Sequence, residues 1–167
     1  MITKQLKRFM LMLLLVAVQV LVLNHVQFMG YGTPLLYVLL LVYLPMGTSR
    51  TSALLWGFST GLIVDILSNT PGIASGAMTF AALIQPPLLN LIVPRDAPED
   101  LVPSAQNMGN RIFIRYAMIV FFMHHLVYFT LACFSFYHIA DAALYTITSW
   151  ITSMLLALAV EPFRKKK

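Results

Sequence analysis

Asp65 is the only acidic residue well inside an apolar run of this 167-residue chain. An ionised carboxylate there is costly unless it is hydrated, paired or protonated. Gly57, Gly61 and Asp65 recur every four residues and so share one helix face, where the glycines let a neighbouring backbone approach closely. That face reads as a helix or partner contact organised by Asp65, or as a packing seam whose carboxylate snorkels to water. A proton relay would want a lysine or a second buried carboxylate on the same side, and the sequence supplies neither.

His124 and His125 are adjacent, about 100° apart around a helix, so they cannot ligate a metal as residues one turn apart do. His25 and His138 lie elsewhere, and His-Glu-x-x-His is absent. Histidines packed or hydrogen-bonded inside a bundle are the expectation. Gln85-Pro86-Pro87 is a candidate broken-helix feature, because two prolines remove two backbone donors. It is either a kink that shapes packing or a break whose unwound backbone lines a binding site. Tyr145, Thr148, Ser149, Thr152 and Ser153 form a polar stripe at helical spacing, which predicts helix packing. Cys133, the single cysteine, is a small apolar filler. No nucleophile and base are spaced for catalysis and no glycine-rich phosphate loop occurs. The expectation is a non-enzymatic protein with no catalytic residue, no metal and no cofactor. A membrane enzyme would need Asp65 and His124 to meet, although they are expected at different depths.

The elements that position these residues follow from composition. The chain is 59% hydrophobic and 10% charged, against about a quarter charged in soluble domains. With a mean hydropathy of +0.81, this excludes a soluble globular domain and a disordered chain, and one cysteine excludes an internal disulfide scaffold. The expected class is all-α: a polytopic integral membrane protein forming a single transmembrane domain over residues 1–167. The net charge of +5 does not imply nucleic acid, because the basic residues sit between hydrophobic runs rather than on a basic face with aromatics.

Six spans are predicted, over residues 9–28, 35–46, 53–68, 72–93, 112–136 and 142–160. The N-terminal run has no small-x-small cleavage site and reads as a retained signal anchor. The second run is short for a hydrocarbon core of ~30 Å and must borrow flanking residues, thin the bilayer or be shielded by other helices. Residues 94–110, with three prolines, read as a solvent-exposed cytoplasmic loop, and 161–167 as a basic cytoplasmic tail. In this arrangement Lys4, Lys7, Arg8, Arg50, Arg95, Arg111, Arg115, Arg164, Lys165, Lys166 and Lys167 all fall on one side. The turns at 29–33, 69–71 and 137–141 carry no lysine or arginine. Both termini are therefore predicted to be cytoplasmic, and the terminal basic cluster to meet membrane lipids.

The stretch from Leu55 to Ser68, Leu-Trp-Gly-Phe-Ser-Thr-Gly-Leu-Ile-Val-Asp-Ile-Leu-Ser, followed by Thr70-Pro71-Gly72, resembles the glycine-phenylalanine, glycine-leucine, aspartate signature of the rod-shape-determining MreD family. The positions carried over are Gly57, Phe58, Gly61, Leu62, Asp65 and Pro71. The resemblance is specific around 54–80; elsewhere it is one of size, span number and basic ends. It implies a non-enzymatic inner-membrane subunit of the bacterial cell-elongation machinery, bound to the bitopic scaffold MreC. Indirect partners would be the MreB filament, the RodA glycosyltransferase and a class B transpeptidase in peptidoglycan synthesis. It also implies a fold similar to the substrate-binding membrane subunits of energy-coupling-factor vitamin transporters. A small-molecule-binding subunit of an uptake complex is thus the alternative expectation.

Overall fold

Five stretches are long and apolar enough to form membrane-crossing helices, and all five do form helices in a computed structural model that describes residues 2–27, 30, 32–94, 97–133 and 139–163. Side chains are described for these except residues 2–4 and 139. The side chain of Lys4, together with Arg95, His138, Arg164, Lys165, Lys166 and Lys167, lies outside the described residues. The long helices are α1 (Ile2–Leu21), α3 (Arg50–Ser68), α4 (Ile73–Ile92), α6 (Asn110–Cys133) and α7 (Ile139–Val160). Two short helices, α2 (Leu39–Val42) and α5 (Ala105–Met108), join them, with 3₁₀ turns at Leu23–His25, Leu36–Val38 and Glu161–Phe163.

Each of the five spans buries less than half of its most apolar window inside the bundle, from 28% to 44%. The rest is apolar and turned outward, including Leu14, Leu21, Ile66, Leu91 and Leu155. In water such a surface would be an aggregation hazard. In a bilayer it is the ordinary outer face of a multi-pass membrane protein.

The second predicted span is where the structure departs from the sixfold helical expectation. Its run, Leu35 to Met46, gives only one 3₁₀ turn and one turn of α-helix, preceded by irregular backbone. Every residue from Leu35 to Val42 is buried, against α1, α3, α4, α6 and α7. A stretch shielded on all sides does not need an unbroken helix to meet lipid, because neighbouring side chains can satisfy its backbone. This segment also carries the chain back along the bundle. Asn24, just past α1, donates to Ser68 at the end of α3 at 2.8 Å, so these two helices finish at the same end. The chain must therefore return before α3 begins at Arg50.

That other end gathers the loop connections. Met46 and Gly47 donate backbone N–H groups to the carbonyls of Leu101 and Glu99. Glu161, at the end of α7, accepts from the Ala105 N–H at 2.8 Å and from the Tyr43 hydroxyl at 2.7 Å. The loop keeps an exposed side at Pro94, Pro98, Glu99, Asp100, Gln106 and Asn107, as expected of a solvent-exposed segment, while these bonds dock its middle against the bundle. Pro103 and Ser104 are buried there and Leu101 and Val102 half-buried, since apolar side chains are better packed than hydrated. Lys7, Arg50, Arg111 and Arg115 are exposed and Arg8 is half-buried, and all five belong to the first turns of helices at this end.

Of the two readings of the double proline, a kinked helix or two half-helices, the structure keeps a single helix. α4 runs continuously through Pro86 and Pro87. The prolines leave the carbonyls of Ala82 and Leu83 without their i+4 donors, yet the surrounding bundle holds the helical path.

Candidate functional site

The α3–α4 hairpin is built around Asp65. Ser49 caps the start of α3, accepting from the Ser52 N–H at 3.3 Å. Asn69 ends the helix in the left-handed conformation, φ 55°, which a short polar residue tolerates. Gly72, φ 85°, then turns the chain into α4, a helix start with no capping side chain of its own at that position. Asp65 takes over the capping from one helix away. Its Oδ1 accepts from the Ala74 N–H at 2.8 Å and the Thr70 hydroxyl at 2.9 Å. Its Oδ2 accepts from the Ser75 N–H at 2.9 Å, the Ser75 hydroxyl at 2.7 Å and the Gly72 N–H at 3.2 Å.

Five donors and the positive end of the α4 dipole thus converge on one carboxylate that is only 3% exposed. The two readings of Asp65 are separated by this geometry: the side chain turns inward to organise a helix contact and does not reach out to solvent. Hydrogen bonds to a charged acceptor are worth about 1.5–3 kcal/mol each, which is why a carboxylate is tolerable here.

The glycines complete the hairpin. A methyl group on Gly57 would stand 2.8 Å from the Ala82 Cβ and 2.9 Å from the Met78 carbonyl oxygen. On Gly61 it would stand 2.5 Å from the Ala74 carbonyl oxygen and collide with the Ser75 Cα. Gly57, Gly61 and Asp65 therefore form one seam that lies against α4, an internal contact. Phe58 and Leu62 point the other way and are 48% and 40% exposed. Pro71 is exposed in the turn between the helices. Beside Phe58 an outward-facing groove of about 490 Å³ runs between α3 and α4, floored by Gly76 and Thr79 and walled by Phe80 and Leu83.

A second polar cluster holds the irregular segment in place. Gln19 accepts from the Leu36 N–H at 2.8 Å and donates to the Pro34 carbonyl at 3.0 Å. Ser149 accepts from the Thr33 N–H at 3.0 Å, and Ser153 from the Leu35 N–H at 2.8 Å. Part of the polar stripe on α7 thus serves backbone of the irregular segment, and Ser153 also meets a neighbouring helix. His125 joins this cluster: Nδ1 lies 2.7 Å from the Phe121 carbonyl and Nε2 lies 2.9 Å from the Ser153 hydroxyl. A carbonyl only accepts, so Nδ1 carries the proton and Nε2 accepts from Ser153. His124 is packed rather than hydrogen-bonded: it is buried, and its ring nitrogens have no hydrogen-bond partner among the described residues.

Gln85 donates to the Tyr116 hydroxyl at 2.9 Å, which donates to the Val42 carbonyl at 3.3 Å. The Gln85-Pro86-Pro87 feature therefore meets the end of the irregular segment rather than an open cavity. Gln19, Tyr43 and Glu161 are structural polar residues that sequence reasoning passed over. Gln19 had a usable signal, as an amide in the middle of an apolar run; Glu161 did not, because it adjoins a basic tail.

No hydrogen bond joins Asp65 and His124. Among the described residues no group of three or more histidine, cysteine, aspartate or glutamate side chains is placed to hold a metal ion. Comparison with models of protein families, with curated proteins and with solved structures finds no match.

Proposed function

We propose that this chain is a non-enzymatic subunit of the bacterial cell-elongation complex, seated in the inner membrane. It binds an MreC-like bitopic scaffold and through it helps organise peptidoglycan synthesis and rod shape. The observation that carries this is the division of labour within the signature residues. Gly57, Gly61 and Asp65 lock α3 to α4, and the same helix turns Phe58 and Leu62 outward beside an apolar groove. A rigid hairpin with an exposed aromatic ridge suits helix docking within a membrane, where packing and small residues drive association.

The chain crosses the membrane six times in this reading, with the irregular segment as the second crossing and both termini in the cytoplasm. Support comes from the shared end of α1 and α3 and from the exposed basic residues at the opposite end. Mild-detergent affinity purification from native membranes, with mass spectrometry of proteins and released small molecules, tests the function. Co-purification of an MreC-like protein and wall-synthesis enzymes is the expected result. Recovery of paired ATPases with a vitamin-like ligand would replace this reading with that of an uptake subunit.

A further inference from the structure

The Tyr37 hydroxyl and both ring nitrogens of His124 are buried without a hydrogen-bond partner among the described residues. They belong to one place, since the two rings stand edge to face with centroids 5.2 Å apart. Tyr128 stacks on His124 at 5.9 Å, and His125 meets it edge-on at 5.4 Å. An N–H aimed at a ring face gains a weak contact, but the lone pair of the other imidazole nitrogen gains nothing from it. His125 gives no relief, because Phe121 and Ser153 already occupy both of its nitrogens. Buried polar groups in native proteins are hydrogen-bonded, to water where no protein group is in reach.

The chemistry defines the guest. A phenol and a neutral imidazole each offer a donor and an acceptor, so the guest must both donate and accept. No opposite charge is hydrogen-bonded to either ring, so the guest is neutral, and the packed rings admit only something small. We infer that Tyr37 and His124 bind water, one molecule or two, at the 3₁₀ turn Leu36–Val38 of the second segment. Thr33, Leu35 and Leu36 are tied to the bundle by Ser149, Ser153 and Gln19. The bound water is the next tie along the chain, joining Tyr37 to α6.

The test uses the full-length protein labelled with ¹⁵N-histidine and reconstituted in lipid bilayers. Proton-detected solid-state NMR follows magnetisation transfer from water to ring N–H groups, assigned through ring-to-backbone correlations. Exposed His25 is the positive control and fully bonded His125 the negative one. A water cross-peak on His124 is expected, falling at least twofold in Tyr37→Phe. A His124 ring as silent as His125 overturns the inference. So does a cross-peak that Tyr37→Phe leaves at full strength, since the water would then not be shared between the two residues.

Discussion

In the α3–α4 hairpin the backbone is helical from Arg50 to Ser68 and again from Ile73 to Ile92, and its buried carboxylate is met by five donors from the turn and the next helix start. Between residues 32 and 46 the chain is irregular, then briefly helical, and the N–H groups of Thr33, Leu35 and Leu36 are met by side chains of α1 and α7. Both regions bury backbone or carboxylate groups that have to find partners within the protein. The hairpin does this locally, within residues 65–75, and the segment by borrowing from helices far along the chain. The first is therefore sensitive to backbone separation, the second to the loss of individual hydroxyl or amide groups.

The largest effect is expected at Gly61. Gly61→Leu places a branched side chain where even a methyl group meets the α4 backbone, so the seam has to open. The cost is at least the ~1–3 kcal/mol of an overpacked core, and loss of monodisperse protein in fluorescence-detected size exclusion is the expected readout. Retention of native thermal stability would refute the seam.

Asp65→Ala comes next, because it strips the α4 start of its acceptor and leaves buried N–H groups of Ala74 and Ser75 unpaired. A loss of about 2–3 kcal/mol, seen as a lower Tm in detergent, is expected. Asp65→Asn should recover part of it, because the amide keeps one acceptor oxygen while its NH₂ faces donors.

Ser153→Ala sharpens the comparison from the other side. It removes one hydroxyl that both accepts from Leu35 and donates to His125. A loss of about 1–2 kcal/mol by thermal melting is expected, with α3 and α4 unaffected in hydrogen exchange. Protection lost equally in both regions would show that they unfold as one unit.

The smallest stability effect is expected for Phe58→Ala with Leu62→Ala, about 0.5 kcal/mol or less, since both side chains face outward. Co-purification of the scaffold partner should nevertheless fall. Unchanged capture would move the docking surface off this ridge.

The hairpin was the legible part of the sequence. Four-residue spacing of Gly57, Gly61 and Asp65 implies a shared face whatever the tertiary context, and the following turn residues place a new helix start within reach. The five long helices are equally legible from hydropathy: α3, α4, α6 and α7 match within about three residues at each end, while α1, Ile2–Leu21, begins and ends earlier than the run 9–28. The second segment was not, because a short apolar run has the same composition whether it is a helix facing lipid or an irregular strand of chain enclosed by protein. Its partners, Gln19, Ser149 and Ser153, are identified only once tertiary structure brings them to it. The two prolines leave a kink and a break both open for a related reason: their local cost is fixed, but the bundle around α4 decides whether the helix yields.

The distance in sequence between the second segment and its partners sets an order of events during synthesis. Thr33 and Leu35 wait for hydroxyls that lie 116 and 118 residues further on. At ~5–20 residues per second, the ribosome delivers those hydroxyls on the order of ten seconds later. Within that interval every residue of the hairpin's network, 65–75, has been made, whereas the Thr33 and Leu35 N–H groups still lack the acceptors they have in the folded chain. Synthesis thus supplies the hairpin's partners together and early, and those of the second segment only with α7.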